Sequence, residues 1–213
     1  MENKNSKIIP FYGGNYSDLF EIERRCMDRE GKVIDYLNER LPNGFVLDVG
    51  AGNGFTAEKL QTDHRQILAM EPDEKMVDLS KPLIWSKGVA QQIPFHENTF
   101  DAMYSTWAFF FDGIPDLNEG LKEVERVVKP GGKIFIVDNY GEDEFCSYSP
   151  RQISNNYSDW VKRGFDYEVI HTHFIFDSVD EARRLLSFYF GEKMNNIEKT
   201  KIEYKVVVYS KTN

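Results

Sequence analysis

The run Val46-Leu47-Asp48-Val49-Gly50-Ala51-Gly52-Asn53-Gly54, leading into Phe55-Thr56-Ala57-Glu58-Lys59-Leu60, constrains this chain more than any other stretch. Branched and apolar side chains around a single aspartate read as a strand buried on both faces, the property of a parallel sheet. Glycine at alternate positions then turns the chain tightly and lets a ligand reach bare backbone, and a helical pattern begins. Asp48 is the exception in the run. A carboxylate placed there loses roughly 1–3 kcal/mol or more unless polar partners meet it. A plain crossover with Asp48 bonded to loop amides would explain the aspartate alone. A cofactor loop at the carboxyl end of a first strand explains the glycines too.

The spacing narrows the cofactor. A dinucleotide loop needs a third glycine for close helix–strand packing, and Phe55 occupies that position here. Gln66 to Met70 reads as the second strand and ends at Glu71-Pro72. An acid about 20 residues beyond the loop can accept bonds from a ribose diol. Together these point to a nucleotide-type cofactor that is not a dinucleotide.

Four segments, V-L-D-V-G-A-G-N-G, I-L-A-M-E-P-D-E-K-M, Q-I-P-F-H-E-N-T-F-D-A-M-Y-S-T and V-V-K-P-G-G-K-I-F-I-V-D, resemble in order and spacing the class I S-adenosylmethionine-dependent methyltransferases. The branch they are most similar to holds the type 11 and quinone-biosynthesis enzymes, and the resemblance runs from Gly44 to Asn139. It implies a Rossmann-like, doubly wound α/β sheet of seven strands in the order 3-2-1-4-5-7-6, the last strand antiparallel, with helices on both faces. It implies S-adenosylmethionine as cofactor, with Asp48, Gly50, Ala51, Gly52, Asn53 and Gly54 at the methionine end and Glu71 at the ribose. Pro72, Met76, Ala90 and Gln91 would flank the adenine, and Tyr12 and Tyr16 would close over the cofactor, the alternative being that both tyrosines only pack the first helix against the sheet; Thr106 and Trp107, at the carboxyl end of strand four, should face the cofactor by position. One departure is plain: relatives carry an acid where this chain has Val89, which cannot make the bond to the adenine amino group, and Gln91 and Gln92 are the candidates to substitute.

With 26 basic and 35 acidic residues the net charge is −9, which argues against a broad phosphate-binding surface and a nucleic-acid acceptor. No apolar run is long enough for a membrane span, and the polar start lacks a secretion-signal core. Cys26 and Cys146 have no metal or redox spacing. A cytoplasmic enzyme of one domain fits, with a helical cap over 1–43, a cofactor-binding core over 44–139 and a substrate-side half over 140–213.

In chain order, Ser17 caps a helix with Phe20, Cys26, Val33, Ile34, Leu37 and Leu41 on its apolar side, broken at Gly31. Asp73 to Leu79 is expected as a short helix stopped by Pro82, and Leu83 to Trp85 as strand three. Phe100 to Ser105 is strand four, and Ala108-Phe109-Phe110-Phe111 reads as core or lid. Leu117, Leu121, Val124 and Val128 mark a helix ended by Pro130-Gly131-Gly132, and Lys133 to Asp138 is strand five. Glu142-Asp143-Glu144 reads as a solvated loop. Ser149-Pro150 starts a helix with Ile153, Tyr157, Trp160 and Val161 buried. Tyr167 to Phe176 alternates as a strand carrying His171 and His173, a pair with no third metal ligand in view, so no metal is expected. Ser178 to Glu181 is a capping box, and Ile202 to Tyr209 is the last strand.

Methyl transfer from a sulfonium is an in-line displacement that works largely by positioning, and it needs a base only for a protonated acceptor. The sequence declares no such base. Tyr12, Tyr16, His171 and Asp138 are candidates by placement alone, and the acceptor is expected to be a small molecule, apolar or aromatic. An NAD(P)-dependent oxidoreductase and a cofactor-binding partner subunit without turnover are the other readings.

Overall fold

The computed structural model describes residues 12–109, 117–149 and 157–213. Strands β1 (Gly44–Val49), β2 (Arg65–Met70), β3 (Ile84–Ser86), β4 (Phe100–Thr106) and β5 (Val128–Asn139) run parallel. β6 (Asp166–Ile175) and β7 (Lys201–Thr212) complete a seven-stranded sheet in the order β3-β2-β1-β4-β5-β7-β6. β7 is antiparallel to both β5 and β6. The order reverses between β1 and β4, and ligands of open α/β sheets bind outside the strand ends at such a switch point.

Burial explains the order. In β7, Ile202, Tyr204, Val206 and Val208 are buried on one face and Val207 and Tyr209 on the other, as a strand between neighbours requires. In β6, Thr172 and Phe174 are buried while His171 is exposed, the half-wet pattern of an edge. Helices α1 (Ser17–Cys26), α2 (Lys32–Arg40), α3 (Phe55–Leu60), α5 (Glu144–Ser147) and α7 (Val179–Phe190) pack into one core, on the face that holds Tyr104 and Tyr204. Helices α4 (Leu117–Val127) and α6 (Tyr157–Lys162) pack on the opposite face, with Met103 and Ile136. The helices expected over 1–43 therefore share a core with the sheet.

Several local expectations change. Residues 73–79 form turns and no helix: the Asp73 carboxylate accepts from Lys75 N and the Asp78 carboxylate from Ser80 N, so side chains compete for the amides a helix would use. Strand five starts at Val128, and Pro130-Gly131-Gly132 lies inside it, with Gly131 N donating to Asn213 O. Glu142 to Glu144 is not a free loop. Asp143 caps α5 by accepting from Cys146 N, and its other oxygen accepts from Lys205 N on β7. Only Trp160 of the short α6 is buried; Tyr157 and Val161 are exposed, and Pro150, Ile153, Phe110 and Phe111 lie outside the described residues. Ser178 does cap α7, but Glu181 reaches back to Asp177 N rather than to Ser178 N.

Arg65 was not singled out by its sequence, yet its buried guanidinium donates to Asn38 Oδ1 and to the carbonyls of Asn38, Leu41, Pro42 and Leu60. It pins the ends of α2 and α3 to the start of β2.

Candidate functional site

The glycine loop links β1 to α3 at the switch point. Gly50, Gly52 and Gly54 all take left-handed backbone, with φ of 77°, 56° and 75°. At Gly54 a Cβ would also meet Leu83 Cδ1 at 2.6 Å, so only glycine fits there without strain or displacement. The loop's own amides are largely spoken for. Gly50 and Ala51 donate to Met70 O, Gly54 to Ala51 O, Gly52 to Glu71 Oε2 and Phe55 to Asn53 Oδ1. Asn53 Nδ2 ties the loop to Glu21 on α1. A pyrophosphate site needs open amides and positive potential; this loop offers engaged amides beside two carboxylates.

Those carboxylates are Asp48 and Glu71. Asp48 is fully buried and faces Tyr104 across the β1–β4 register, and the Tyr104 hydroxyl donates to its Oδ2 at 2.9 Å. Its Oδ1 is buried and has no partner among the described residues. Burial pushes the Asp48 carboxyl up to about 7, opposed by the Tyr104 bond and reinforced by the charge of Glu71. Glu71 ends β2, and its other oxygen accepts from Asp73 N at 2.9 Å. Burial raises its carboxyl too, against the two amides that hold it.

The end of β4 forms the other wall. Ser105 Oγ donates to Val49 O at 2.7 Å, which fixes β4 against the loop, and Thr106 Oγ1 lies 3.4 Å from Thr56 Oγ1 on α3. Trp107 has a φ of 51°, uncommon for a bulky residue, and is held by three groups. Its amide donates to Val137 O, and its Nε1 donates to the Tyr204 hydroxyl, which donates in turn to Asn139 Oδ1 at 2.5 Å. The guanidinium of Arg24, on α1, sits over the Trp107 ring at 5.0 Å and the Phe55 ring at 5.3 Å.

The structure thus brings Asp48, the glycine loop, Glu71, Thr106 and Trp107 together at one end of the sheet. Met76 is buried with its methyl 3.8 Å from the Cβ position of Gly52, and Pro72 follows Glu71 at the same rim. Ala90 and Gln91 form a tight turn closed by Gln92 N to Val89 O at 3.0 Å. Gln91 is half-buried and makes no side-chain hydrogen bond among the described residues, whereas Gln92 is exposed. Tyr16 is half exposed and leans its ring on Phe188 of α7 at 5.2 Å. Tyr12 starts a single 3-10 turn.

Among the candidate bases, His171 lies mid-strand on edge strand β6, with three strands between it and β1. His173 faces Glu30, and the described residues hold no group of three metal-binding side chains. Asp138, by contrast, ends β5 beside β4. Its Oδ1 accepts from the Asn139 amide at 2.7 Å, its Oδ2 accepts nothing among the described residues, and burial, opposed by the Asn139 bond, pushes its carboxyl up to about 7. Arg24 and Tyr204 were missed by sequence reasoning. Arg24 reads as one polar residue of an amphipathic helix, and Tyr204 as one buried position of a strand. Elsewhere, a shallow cavity of about 440 Å³ at the far end of the sheet, lined by Gly44, Thr62 and His64, contains none of these residues.

Residues 47–136 match the family described as a methyltransferase domain, Methyltransf_11. The ubiquinone/menaquinone biosynthesis C-methyltransferase of Rickettsia felis is 29% identical over 191 residues, 78% of this chain and 74% of that one. Malonyl-[acyl-carrier protein] O-methyltransferase 1 of Coxiella burnetii is 23% identical over 97% of this chain and 67% of its own. A solved structure from Thermotoga maritima, described as a SAM-dependent methyltransferase and possible histamine N-methyltransferase, aligns with a TM-score of 0.64 at 18% identity, covering 95% of this chain and 97% of that one. No helix among the described residues is long and apolar enough to cross a membrane.

Proposed function

We propose that the chain is a class I S-adenosylmethionine-dependent methyltransferase, built on the methyltransferase domain matched at residues 47–136, and that it methylates a small-molecule acceptor by in-line displacement. When bound, the cofactor supplies an electrophilic methyl group on a sulfonium. The observation that carries the reading is the buried, unpartnered Asp48 Oδ1 beside a loop whose amides are already engaged. Such a site suits the cationic end of an amino acid and repels a pyrophosphate, which sets aside the NAD(P) reading.

In this reading Asp48 and the Gly50–Gly54 loop hold the methionine end, and Glu71 turns its remaining lone pairs to the ribose hydroxyls. Pro72, Met76 and Ala90 flank the adenine, and Gln91 supplies the polar contact that Val89 cannot. Thr106 and Trp107 hold the acceptor side of the methyl group. We assign Tyr16 to packing α1 on α7 through Phe188, not to the cofactor. Holding reacting atoms about 3–3.5 Å apart in line can supply on the order of 7–11 kcal/mol, so the fold is catalytic by position. No base is assigned. The acceptor is read as apolar or aromatic, neither nucleic acid nor phosphate-rich given a charge of −9, and the enzyme as cytoplasmic.

The test is the thermal midpoint with S-adenosylmethionine, S-adenosylhomocysteine and NADH in parallel. Ligand at 100 times its dissociation constant adds about 2.7 kcal/mol, a shift of a few degrees. A shift with the adenosyl compounds alone is expected. A shift with NADH alone, or none at all, would overturn the proposal.

A further inference from the structure

The cofactor reading uses Asp48 and Glu71 and leaves a third carboxylate at the same end of the sheet, the half-buried Asp138, without a task. Thr106 pairs with Val137, and Trp107 N donates to Val137 O, so Asp138 stands level with Trp107 where β4 and β5 end side by side. A chain of hydrogen bonds fixes it there. Trp107 Nε1 donates to the Tyr204 hydroxyl and Tyr204 to Asn139 Oδ1. Asn139 then gives Asp138 Oδ1 both its backbone N–H at 2.7 Å and its Nδ2 at 3.3 Å. All of this falls on one oxygen. Oδ2 accepts from none of the described residues, and the side chain keeps part of its surface open. Asp143, on the neighbouring α5, differs: its two oxygens are engaged by Cys146 N and Lys205 N.

A carboxylate with one oxygen held and the other bare is set to accept a hydrogen bond from a guest. Trp107 beside it already carries the Arg24 guanidinium over its ring, so a second cation there is repelled and a neutral group with a proton to give fits better. We propose that Asp138 is a catalytic residue whose Oδ2 takes the hydroxyl proton of a hydroxyaromatic acceptor as the methyl group is transferred. The inference rests on the cofactor reading above and narrows the acceptor to one methylated on an O–H. The acceptor oxygen bonds to the methyl carbon, and the carbon–sulfur bond breaks with its electron pair left on sulfur. The O–H bond breaks too, and its proton passes to Asp138 and from there to water. A sulfonium and a carboxylate become a thioether and a carboxylic acid, so the burial that raises Asp138 to about 7 favours the transfer and suits a base working near neutral pH. Tyr204 and Tyr209 of β7 and Cys146 of α5 are the titratable groups around it, and burial pushes each of them up, so none brings it a charge at that pH.

The experiment takes the whole chain, wild type and Asp138→Asn, saturated with S-adenosylhomocysteine and titrated with 4-nitrophenol, 4-nitroaniline and 4-nitroanisole, which present O–H, N–H and no donor on one ring. The wild type is expected to bind 4-nitrophenol at least about 10-fold more tightly than 4-nitroanisole, the worth of a hydrogen bond to a charged group. Asp138→Asn should erase that preference and leave S-adenosylhomocysteine affinity within about two-fold. Sharing its proton with Asp138, bound 4-nitrophenol should ionise roughly one pH unit higher in the wild type than in Asp138→Asn, read from its absorbance. With S-adenosylmethionine instead, the wild type should convert 4-nitrophenol to 4-nitroanisole, and Asp138→Asn should do so about 10²–10⁴-fold more slowly. Equal affinity of the wild type for the three probes, binding of none, or a preference for 4-nitroaniline would overturn the inference, and these wild-type results decide the case even if the variant does not fold. A preference or a rate that survives Asp138→Asn, or binding of 4-nitrophenol without transfer, would overturn it as well. If the wild type does not bind S-adenosylhomocysteine at all, the cofactor reading itself fails.

Discussion

The Tyr104 hydroxyl and the Asp48 carboxylate meet at 2.9 Å between directly paired positions of two adjacent parallel strands, both side chains fully buried. Among the described residues this is the one hydrogen bond Asp48 receives, and it leaves Oδ1 without a partner. Tyr104→Phe should therefore leave both oxygens unmet. The expected result is a loss of about 1–3 kcal/mol in chemical denaturation, with the Asp48 carboxyl driven further upward. Equal stability of the variant would mean that water already satisfies Asp48.

Asp48 also gives the protein a pH dependence of known sign. Burial raises its carboxyl from 3.8 to about 7, so between those values the folded chain holds a proton that the unfolded chain has released. Stability from this group is full below pH 4 and falls as pH rises through about 7. Asp48→Asn removes that slope. Relative to wild type, the variant should gain on the order of a few kcal/mol between pH 4 and pH 7.5, read by urea denaturation at each pH. A constant difference between the two proteins would show that the folded carboxyl titrates normally.

Gly54→Ala tests the loop geometry. The alanine would combine a φ of 75° with a Cβ 2.6 Å from Leu83 Cδ1 and 3.0 Å from the Trp85 ring. Left-handed backbone costs roughly 1–2 kcal/mol, and the crowding adds to it. The thermal midpoint should fall by several degrees, and affinity for S-adenosylhomocysteine should fall with it as the loop shifts.

Much of this architecture was written in local patterns. Doubly apolar runs marked β1, β2 and β4, alternation marked β6, and the glycine spacing excluded a dinucleotide helix start. The inner position of β7 came from resemblance, not from its residues, although burial on both faces is visible in Ile202 to Tyr209. What was illegible depends on contacts distant in sequence. Nothing local in Asp143 announces a cap that also holds Lys205, and nothing in Arg24 announces a ring of Trp107 beneath it. The helix expected at Asp73 failed for a readable reason, since the Asp73 and Asp78 carboxylates accept from the amides two residues on, Lys75 N and Ser80 N.

Arg65 carries the largest stability prediction. Its guanidinium serves five acceptors from the ends of α2 and α3 and the loop before β1. Arg65→Met keeps the volume but leaves buried carbonyls unpaired, and a loss of about 3–5 kcal/mol is expected, as for breaking a buried polar network. Cofactor affinity of the folded fraction should be unchanged, because these contacts lie at the amino end of β2, opposite the glycine loop.

Glu71→Gln tests the bracing of the loop and the proposed ribose contact separately. Its two oxygens accept from Gly52 N and Asp73 N, so one carboxylate braces both the glycine loop and the turn after β2. Glutamine offers one acceptor oxygen and sets an NH₂ against the other amide. Glu71→Gln should therefore lose about 1–3 kcal/mol of stability even without ligand, and at least about 10-fold in S-adenosylhomocysteine affinity by titration. A drop in affinity with no change in stability would assign Glu71 to the ligand alone. A drop in stability with affinity intact would make it a brace, and the ribose hydroxyls would then have to be met by another group at the end of β2.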